Sequence, residues 1–527
     1  MRALPRVQLF ARSRWLWLVG LFALVAATYI FIGSAGHPRS WPVYMTYYDL
    51  MAEGFRSGHL YIPTSPSREL LSKANPYDPA NSKLWFWDVT LHRGRYYMYW
   101  GPVPGILQAL AKSAIDIRGM IGDQYLVSAG FSLSAMFGGL LVERSGRLLF
   151  NFVPRWLRAL AVLALAFANP APHLLASGGV YQAAIGFGQA FALAGLFFGF
   201  EAVWRAPSLS SSRYLLLAGG MWALAIGSRV SLVPTVGLFG MLTALAVAWP
   251  SRARVPALLR AGALVGAPML LGFLLLLSYN YLRFQHWLDF GTDKQLSTLM
   301  FRFSPKYLLT NLYSYSLRPF VPDCKFPYAM APWWMSSAAF PAGMKVPEGY
   351  LINEPVVGWL RVVPLTWMLV VVPFVAIQRL RLMRRASEFR QYAPELDARA
   401  RTFLWCAACF VVLATVTGIA VLGLYMSTMR YLGDVTNGLV LLGALGLFAL
   451  YSWSSGWLRT SVGVVGALMS LTTIAFGLLL GYQGYTGHFK TYNPQLDSEL
   501  VAALSVCEGP SKASPAAPRA RQKRAKR

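Results

Sequence analysis

Only 21 of the 527 residues are Asp or Glu, so acids set among aromatic residues stand out. Asp49 lies in the run Tyr47-Tyr48-Asp49-Leu50-Met51-Ala52-Glu53, shortly beyond the first long apolar stretch. A carboxylate there sits just outside a membrane and can accept a proton from an attacking hydroxyl. Such general-base help contributes roughly 10²–10⁴-fold in rate. The bland alternatives for Asp49 are capping a short helix or pairing with Arg56. A second acid, Asp88, ends the run Trp85-Phe86-Trp87-Asp88. It is read either as a site residue or as a salt-bridge partner. His59 and His92 could join Asp49 or Asp88 around a divalent metal, but lone histidines in loops are more often plain loop residues.

These residues need a scaffold, and the composition says which kind. The chain is 56% hydrophobic and 13% charged, against about 25% charged in soluble proteins. Its apolar residues fall in blocks of about twenty, the length that crosses a bilayer as helix. The expected fold class is an all-α polytopic membrane protein with about eleven transmembrane helices. The first block, Trp15 to Ile32, follows Arg2, Arg6, Arg12 and Arg14. A signal peptide has the same order, but this block is long and no small-x-small cleavage site follows, so a retained helix is expected.

The formal charge of +27 does not imply nucleic-acid binding. Most of it lies in short loops between spans, as the positive-inside rule requires; the basic tail 519–527 is the exception. Spans are expected at about 14–33, 122–142, 156–172, 181–203, 213–229, 231–249, 257–279, 357–378, 402–425, 434–452 and 458–481. The apolar stretch from Pro102 to Ile117 is read as an interfacial helix. If it crossed, every later basic loop would change sides. This arrangement makes 1–33 the cytoplasmic N-terminus and first span. Segment 34–121 is a first outer loop with interfacial helices, and 122–279 is a transmembrane bundle. A second large outer loop spans 280–356, the C-terminal helices 357–481, and an outer-side tail 482–527, disordered from about 508. The implied location is the inner (plasma) membrane of a bacterium, with a site on the outer side.

Four cysteines are present. Cys406 and Cys409 fall within a helical apolar pattern, where packing explains them. Cys324 and Cys507 are both expected on the outer side, and their pairing is left open. Gly262 and Gly266 form a GxxxG, read as a close helix contact. Mid-span charges are almost absent, which argues against an ion pathway through the bilayer.

The run Asp49-x-x-Ala52 with Ser57-Gly58-His59-Leu60-Tyr61 resembles the start of the first outer loop in the GT-C superfamily of integral-membrane glycosyltransferases. Gly94-Arg95-Tyr96-Tyr97-Met98-Tyr99-Trp100-Gly101-Pro102 resembles the aromatic lead into the interfacial helix closing that loop. Tyr279-Asn280-Tyr281-Leu282-Arg283-Phe284 and Arg430-Tyr431-Leu432-Gly433-Asp434 are similar to segments of bacterial members of uncertain acceptor. Protein O-mannosyltransferases and lipid A aminoarabinose transferases are more distant likenesses.

The resemblance implies transfer of a sugar from a polyprenyl-phosphate donor to an outer-face lipid, envelope polysaccharide or protein, with inversion and with Asp49 as base. Negative charge develops on the leaving phosphate, and fixed cations stabilise it. Arg229 and Arg430, alone at outer helix ends, suit that task, although such residues also snorkel to headgroups. Tyr48, Tyr96, Tyr97 and Trp100 suit the apolar faces of a sugar, or an ordinary aromatic belt. Asp88, His59 and Tyr431 complete the expected substrate contacts, while Asp434 is read as stabilising a helix N-terminus. Metal-dependent members carry further acids, one beside the first and one in the second outer loop. Here Leu50 and Gly179-Val180-Tyr181-Gln182 stand at those places, so no cofactor is assigned and a divalent metal is left open. The rivals are a flippase or transporter of a lipid-linked glycan and a non-catalytic envelope-assembly scaffold. Transporters favour broken helices and polar residues at the midplane, which this sequence lacks.

Overall fold

The structure is a computed structural model that describes residues 5–297, 302–332, 340–341, 343–386, 394–485 and 487–507. The tail expected to be disordered from 508 lies outside the described residues. Helices dominate, and strands are limited to three two-stranded pieces of two or three residues each. Among the described residues, nine helices are long and apolar enough to cross a membrane. The chain is thus an all-α polytopic membrane protein.

Helices stand at all eleven expected spans, and two of them explain the lower number. The segment expected over 156–172 stops early: α5 (Arg155–Phe167) has 13 residues, about 20 Å of helix against a hydrocarbon core of about 30 Å. Pro170 and Pro172 follow, and neither has the N–H needed to extend it. The helix α7 (Ser210–Ser228) has 19 residues, but four serines, Arg213 and three glycines dilute its apolar character.

The remaining bundle helices are α1 (Pro5–Gly33), α4 (Asp123–Leu148), α6 (Val180–Arg205), α8 (Val233–Ala248), α9 (Arg254–Phe284), α11 (Val372–Ala386), α12 (Pro394–Leu422), α13 (Thr436–Trp453) and α14 (Gly456–Gln483). A 3₁₀ turn, Pro364–Val371, leads into α11. In the apolar window of α6, 83% of residues are buried inside the protein, against 17% for α9. The difference lies in their sequences. α6 is rich in Gly and Ala, which let neighbouring backbones approach. At the α4–α6 crossing, a Cβ on Gly130 would lie 2.9 Å from Phe187 N. α9 instead points Leu270, Leu271, Leu274 and Leu275 outward. The GxxxG reading is corrected here: a Cβ at Gly262 or Gly266 would meet nothing within 4 Å, while Gly272 is the α9 glycine packed on Ala223.

Between α1 and α4 the chain forms α2 (Tyr47–Arg56), a β-hairpin and α3 (Val103–Ala114). Asp123, in the first turn of α4, accepts hydrogen bonds from Tyr47 N (3.1 Å) and Tyr48 N (3.0 Å). It thereby caps α2 from another helix, since Thr46 makes no side-chain cap. The hairpin joins β1 (Thr90–His92) to β2 (Arg95–Tyr97). Its turn is Arg93-Gly94, with φ of 49° and 71°, the geometry that matches strand twist in two-residue hairpins. Gly101 then runs against the end of α7, where a Cβ would overlap the Gly227 and Ser228 carbonyls. α3 has 12 residues, about 18 Å of helix, and packs on α2.

The second large segment folds onto the first. Leu296 N donates to Val89 O (2.8 Å) and Asp88 N to Leu296 O (3.1 Å). Leu351–Ile352 pairs in parallel with Met426–Ser427. A disulfide joins Cys324 to Cys507, settling a pairing that the sequence left open. Cys406 and Cys409 are free and buried in α12.

Candidate active site

Asp49, the expected base, is closed off. It is 1% exposed, and its Oδ1 accepts from Lys112 Nζ at 2.8 Å and Gln108 Nε2 at 2.9 Å. Lys112 also holds Glu53 at 2.5 Å. The spacing explains the arrangement. Asp49 and Glu53 are four apart on α2, Gln108 and Lys112 four apart on α3, so each pair lies on one helix face. Burial alone would push the Lys112 ammonium down, but its hydrogen bonds to Asp49 and Glu53 outweigh this and hold its pKa above the ordinary lysine value. The Lys112 hydrogen bond in turn pulls the Glu53 carboxyl below its usual range. This arrangement clasps two interfacial helices together. Replacing Lys112 with Met leaves the Asp49 carboxylate buried without a counter-charge. We expect a loss of about 3–5 kcal/mol, measured as a lowered denaturant midpoint in detergent; an unchanged midpoint would refute the clasp.

A different carboxylate keeps partial exposure. Asp88 is half-buried and occupies a left-handed conformation, φ 57°, which Asp tolerates better than most residues. Its Oδ1 accepts from Tyr181 Oη and from Gln295 Nε2, each at 3.2 Å. Tyr99 Oη lies 2.6 Å from Tyr181 Oη and accepts from Gln295 at 3.0 Å. Among the described residues nothing hydrogen-bonds Oδ2 of Asp88. Burial pushes the Asp88 carboxyl above the usual aspartate range; Arg430, Tyr181 and Gln295 offset only part of that.

Two arginines, each paired with an acid, stand near Tyr181 and Tyr431. The Arg430 guanidinium lies 4.2 Å from the centre of the Tyr181 ring and pairs with Glu354 at 3.0 Å. The Leu351–Ile352 strand pairing places Glu354 there. Burial would lower the Arg430 pKa, but Glu354 and the neighbouring phenols raise it overall. On the same short 3₁₀ turn, Met429–Asp434, Asp434 pairs with Arg229 at 2.5 Å. Arg229 sits at the end of α7. Three buried donors here lack a partner: Arg229 Nε, Arg430 Nε and Trp100 Nε1. Trp100 is edge-on to Tyr181 at 5.0 Å. Unmatched donors can serve an anion, although Asn169 Oδ1, beside Met429 of the same turn, is an unmatched acceptor.

An apolar groove of about 290 Å³ reaches Tyr431. Leu312 and Tyr315 of α10 (Leu308–Ser316), Trp359, Ile419 of α12, and Tyr431 and Leu439 line it. Tyr431 therefore belongs to the groove and adjoins Arg430.

The structure thus brings together Asp88, Trp100, Arg229, Arg430 and Tyr431 and leaves the other expected residues elsewhere. Tyr48 is fully buried, with its hydroxyl donated to Gly101 O at 3.3 Å. Tyr96 and Tyr97 are 3% and 8% exposed within the hairpin, so their rings serve packing. His59 is exposed and stacks on Tyr61 at 4.6 Å. Asp434 does more than stabilise a helix start, since it carries the ion pair with Arg229. Tyr99, Tyr181 and Gln295 were not anticipated. Tyr181 and Tyr99 were noticed only as parts of motifs, and no sequence signal marked Gln295.

Among the described residues no three His, Cys, Asp or Glu side chains converge to hold a metal. The residues around Asp88 do not suit a divalent cation: Arg430 is the nearest charge, and Glu354 and Asp434 each already neutralise an arginine.

No protein-family model matches the chain, and no curated protein does. Among solved structures it is similar to the oligosaccharyltransferase of Archaeoglobus fulgidus. The apo crystal structure has a TM-score of 0.41 at 12% identity, covering 88% of this chain and 56% of that one. The archaeal enzyme in complex with an inhibitory peptide and a dolichol-phosphate has a TM-score of 0.42 at 12% identity, covering 89% and 56%. This chain therefore spans little more than half the length of those proteins.

Proposed function

We propose that this chain is a membrane glycosyltransferase that moves a sugar from a polyprenyl-phosphate donor to an acceptor hydroxyl, with Asp88 as the base. The observation that carries the reading is the state of Asp88. One carboxylate oxygen is held by Tyr181 and Gln295, nothing among the described residues bonds the other, and Arg430 lies over the ring of that same Tyr181. In the proposed reaction the acceptor O–H gives its proton to Oδ2. The acceptor oxygen forms a bond to the anomeric carbon, and the bond from that carbon to the phosphate oxygen breaks. Polyprenyl phosphate leaves with the electron pair, and its charge meets Arg430, Arg229 and the Trp100 N–H. Its apolar tail lies in the groove ending at Tyr431. A single displacement inverts the anomeric centre. No step needs a metal.

The test uses purified chain in bilayer discs, a panel of polyprenyl-phosphate sugars and a membrane extract as acceptor source. Release of one donor's sugar into acceptor is expected. Glycan crossing the bilayer without sugar release would make the chain a transporter.

The pH dependence follows from the raised Asp88 pKa. The protonated acid cannot accept a proton, so the rate is lost as pH falls through that value. The acid limb should therefore lie above the ordinary aspartate value of about 3.9. A rate that stays flat below that value would remove Asp88 from the role of base.

A further inference from the structure

Asp88, Tyr99, Tyr181 and Gln295 close a circuit of hydrogen bonds, and the inventory of protons fixes its direction. An ionised carboxylate only accepts, and the Gln295 NH₂ only donates. Tyr181 Oη gives its one proton to Asp88 Oδ1 at 3.2 Å. The 2.6 Å contact between the two phenols therefore takes its proton from Tyr99. Tyr99 Oη accepts one Gln295 N–H at 3.0 Å, and the other Gln295 N–H goes to Asp88 Oδ1 at 3.2 Å. A proton placed on Oδ1 would break this order. It would have to donate to Tyr181, Tyr181 to Tyr99, and the Tyr99 O–H would then face a Gln295 nitrogen that cannot accept. A proton on Oδ2 disturbs none of the four residues.

Separate segments hold the circuit in place. Asp88 N donates to Leu296 O at 3.1 Å and Leu296 N to Val89 O at 2.8 Å, which fixes Gln295 beside Thr90. Tyr99 stacks on Trp100 at 4.1 Å, and Tyr181 is the second residue of α6. Tyr181 has two neighbours of opposite charge: its hydroxyl meets Asp88, and its ring face meets Arg430 at 4.2 Å. The charged and titratable groups that face Asp88 are Arg430, Tyr99, Tyr181 and Tyr47 of α2. Phenols ordinarily ionise near pH 10 and guanidinium above 12. In the acid range, only the carboxyl of this group changes charge.

We infer that Tyr181 is a positioning residue that bars the proton from Oδ1 of Asp88 and steers it to Oδ2; the consequence for turnover rests on Asp88 as the base. The experiment titrates the Asp88 carboxyl of full-length protein in bilayer discs by infrared difference spectroscopy, native minus Asp88→Asn, without donor. Tyr181→Phe keeps the ring beneath Arg430 and removes the hydroxyl. A hydrogen bond to the ionised form is then lost, the acid is easier to protonate, and the titration midpoint should rise by about one to two pH units. Tyr99→Phe leaves the bond from Tyr181 to Asp88 in place and should raise the midpoint by less. Both variants should bind free polyprenyl phosphate as native does. A Tyr181→Phe midpoint equal to native, a larger rise for Tyr99→Phe, or weakened polyprenyl phosphate binding by Tyr181→Phe would each overturn the inference. Turnover is read separately, and its acid limb should move with the midpoint. A limb that stays in place while the midpoint moves, or an undiminished rate in Asp88→Asn, would count against the base and not against the circuit.

Discussion

Replacing Asp88 with Asn is expected to lower sugar transfer by roughly 10²–10⁴-fold while donor binding survives. The amide keeps the shape and can still accept from Tyr181 and Gln295 through its carbonyl. It cannot take the acceptor proton. The informative control is Asp49→Asn. Asp49 is enclosed by Lys112 and Gln108 and makes no approach to open space, so this variant should alter stability and leave turnover per folded molecule within a few-fold of native. The decisive measurement is single-turnover transfer with saturating donor, normalised to folded protein. A large loss in Asp49→Asn with none in Asp88→Asn would restore the base suggested by position along the chain.

Arg430→Met is expected to reduce kcat by roughly 10²–10³-fold, the usual effect of deleting a donor aimed at developing negative charge. Arg430 lies on the Tyr181 ring, whose hydroxyl bonds Asp88, and is the chain neighbour of the groove residue Tyr431. The substitution has a second consequence: Glu354, 5% exposed, loses its counter-charge. A buried carboxylate left alone destabilises the fold. The comparison is therefore the double variant Arg430→Met with Glu354→Gln, which removes both charges together. That variant should fold with a denaturant midpoint near native and still lack activity. Weaker inhibition by free polyprenyl phosphate should accompany the loss. If the double variant is active, the phosphate contact falls to Arg229 or to none of these residues.

The two effects together separate chemistry from architecture. Asp49, Lys112 and Glu53 form an ion-pair clasp whose loss should appear in stability. Asp88 and Arg430 should appear in rate. Both groups are acids and bases on outer segments, and their residue types alone do not distinguish them.

What the sequence determined follows from local rules. Blocks of about twenty apolar residues marked helices at all eleven positions, because a bilayer leaves unpaired backbone no alternative to intrahelical bonds. The apolar stretch from Pro102 to Ile117 was legible as a helix that does not cross, because crossing would move every later basic loop to the other side. Arg229, Arg430 and Asp88 were legible as charges in unusual places. What tertiary structure decided was which of these side chains meet. Lys112, far along the chain from Asp49, approaches it only because α3 packs on α2, and that contact encloses the expected base. Gln295 and Tyr181 reach Asp88 only because the segment around Leu296 pairs with Val89 and α6 begins beside it. Glu354 reaches Arg430 through a two-residue strand pairing too short to leave a periodic signal. A carboxylate's chemistry depends on its neighbours and its access to water, and both are set by contacts between residues distant in sequence. Residue types and their spacing along the chain therefore give the scaffold and the candidate charges; packing alone separates the half-exposed Asp88 from the enclosed Asp49.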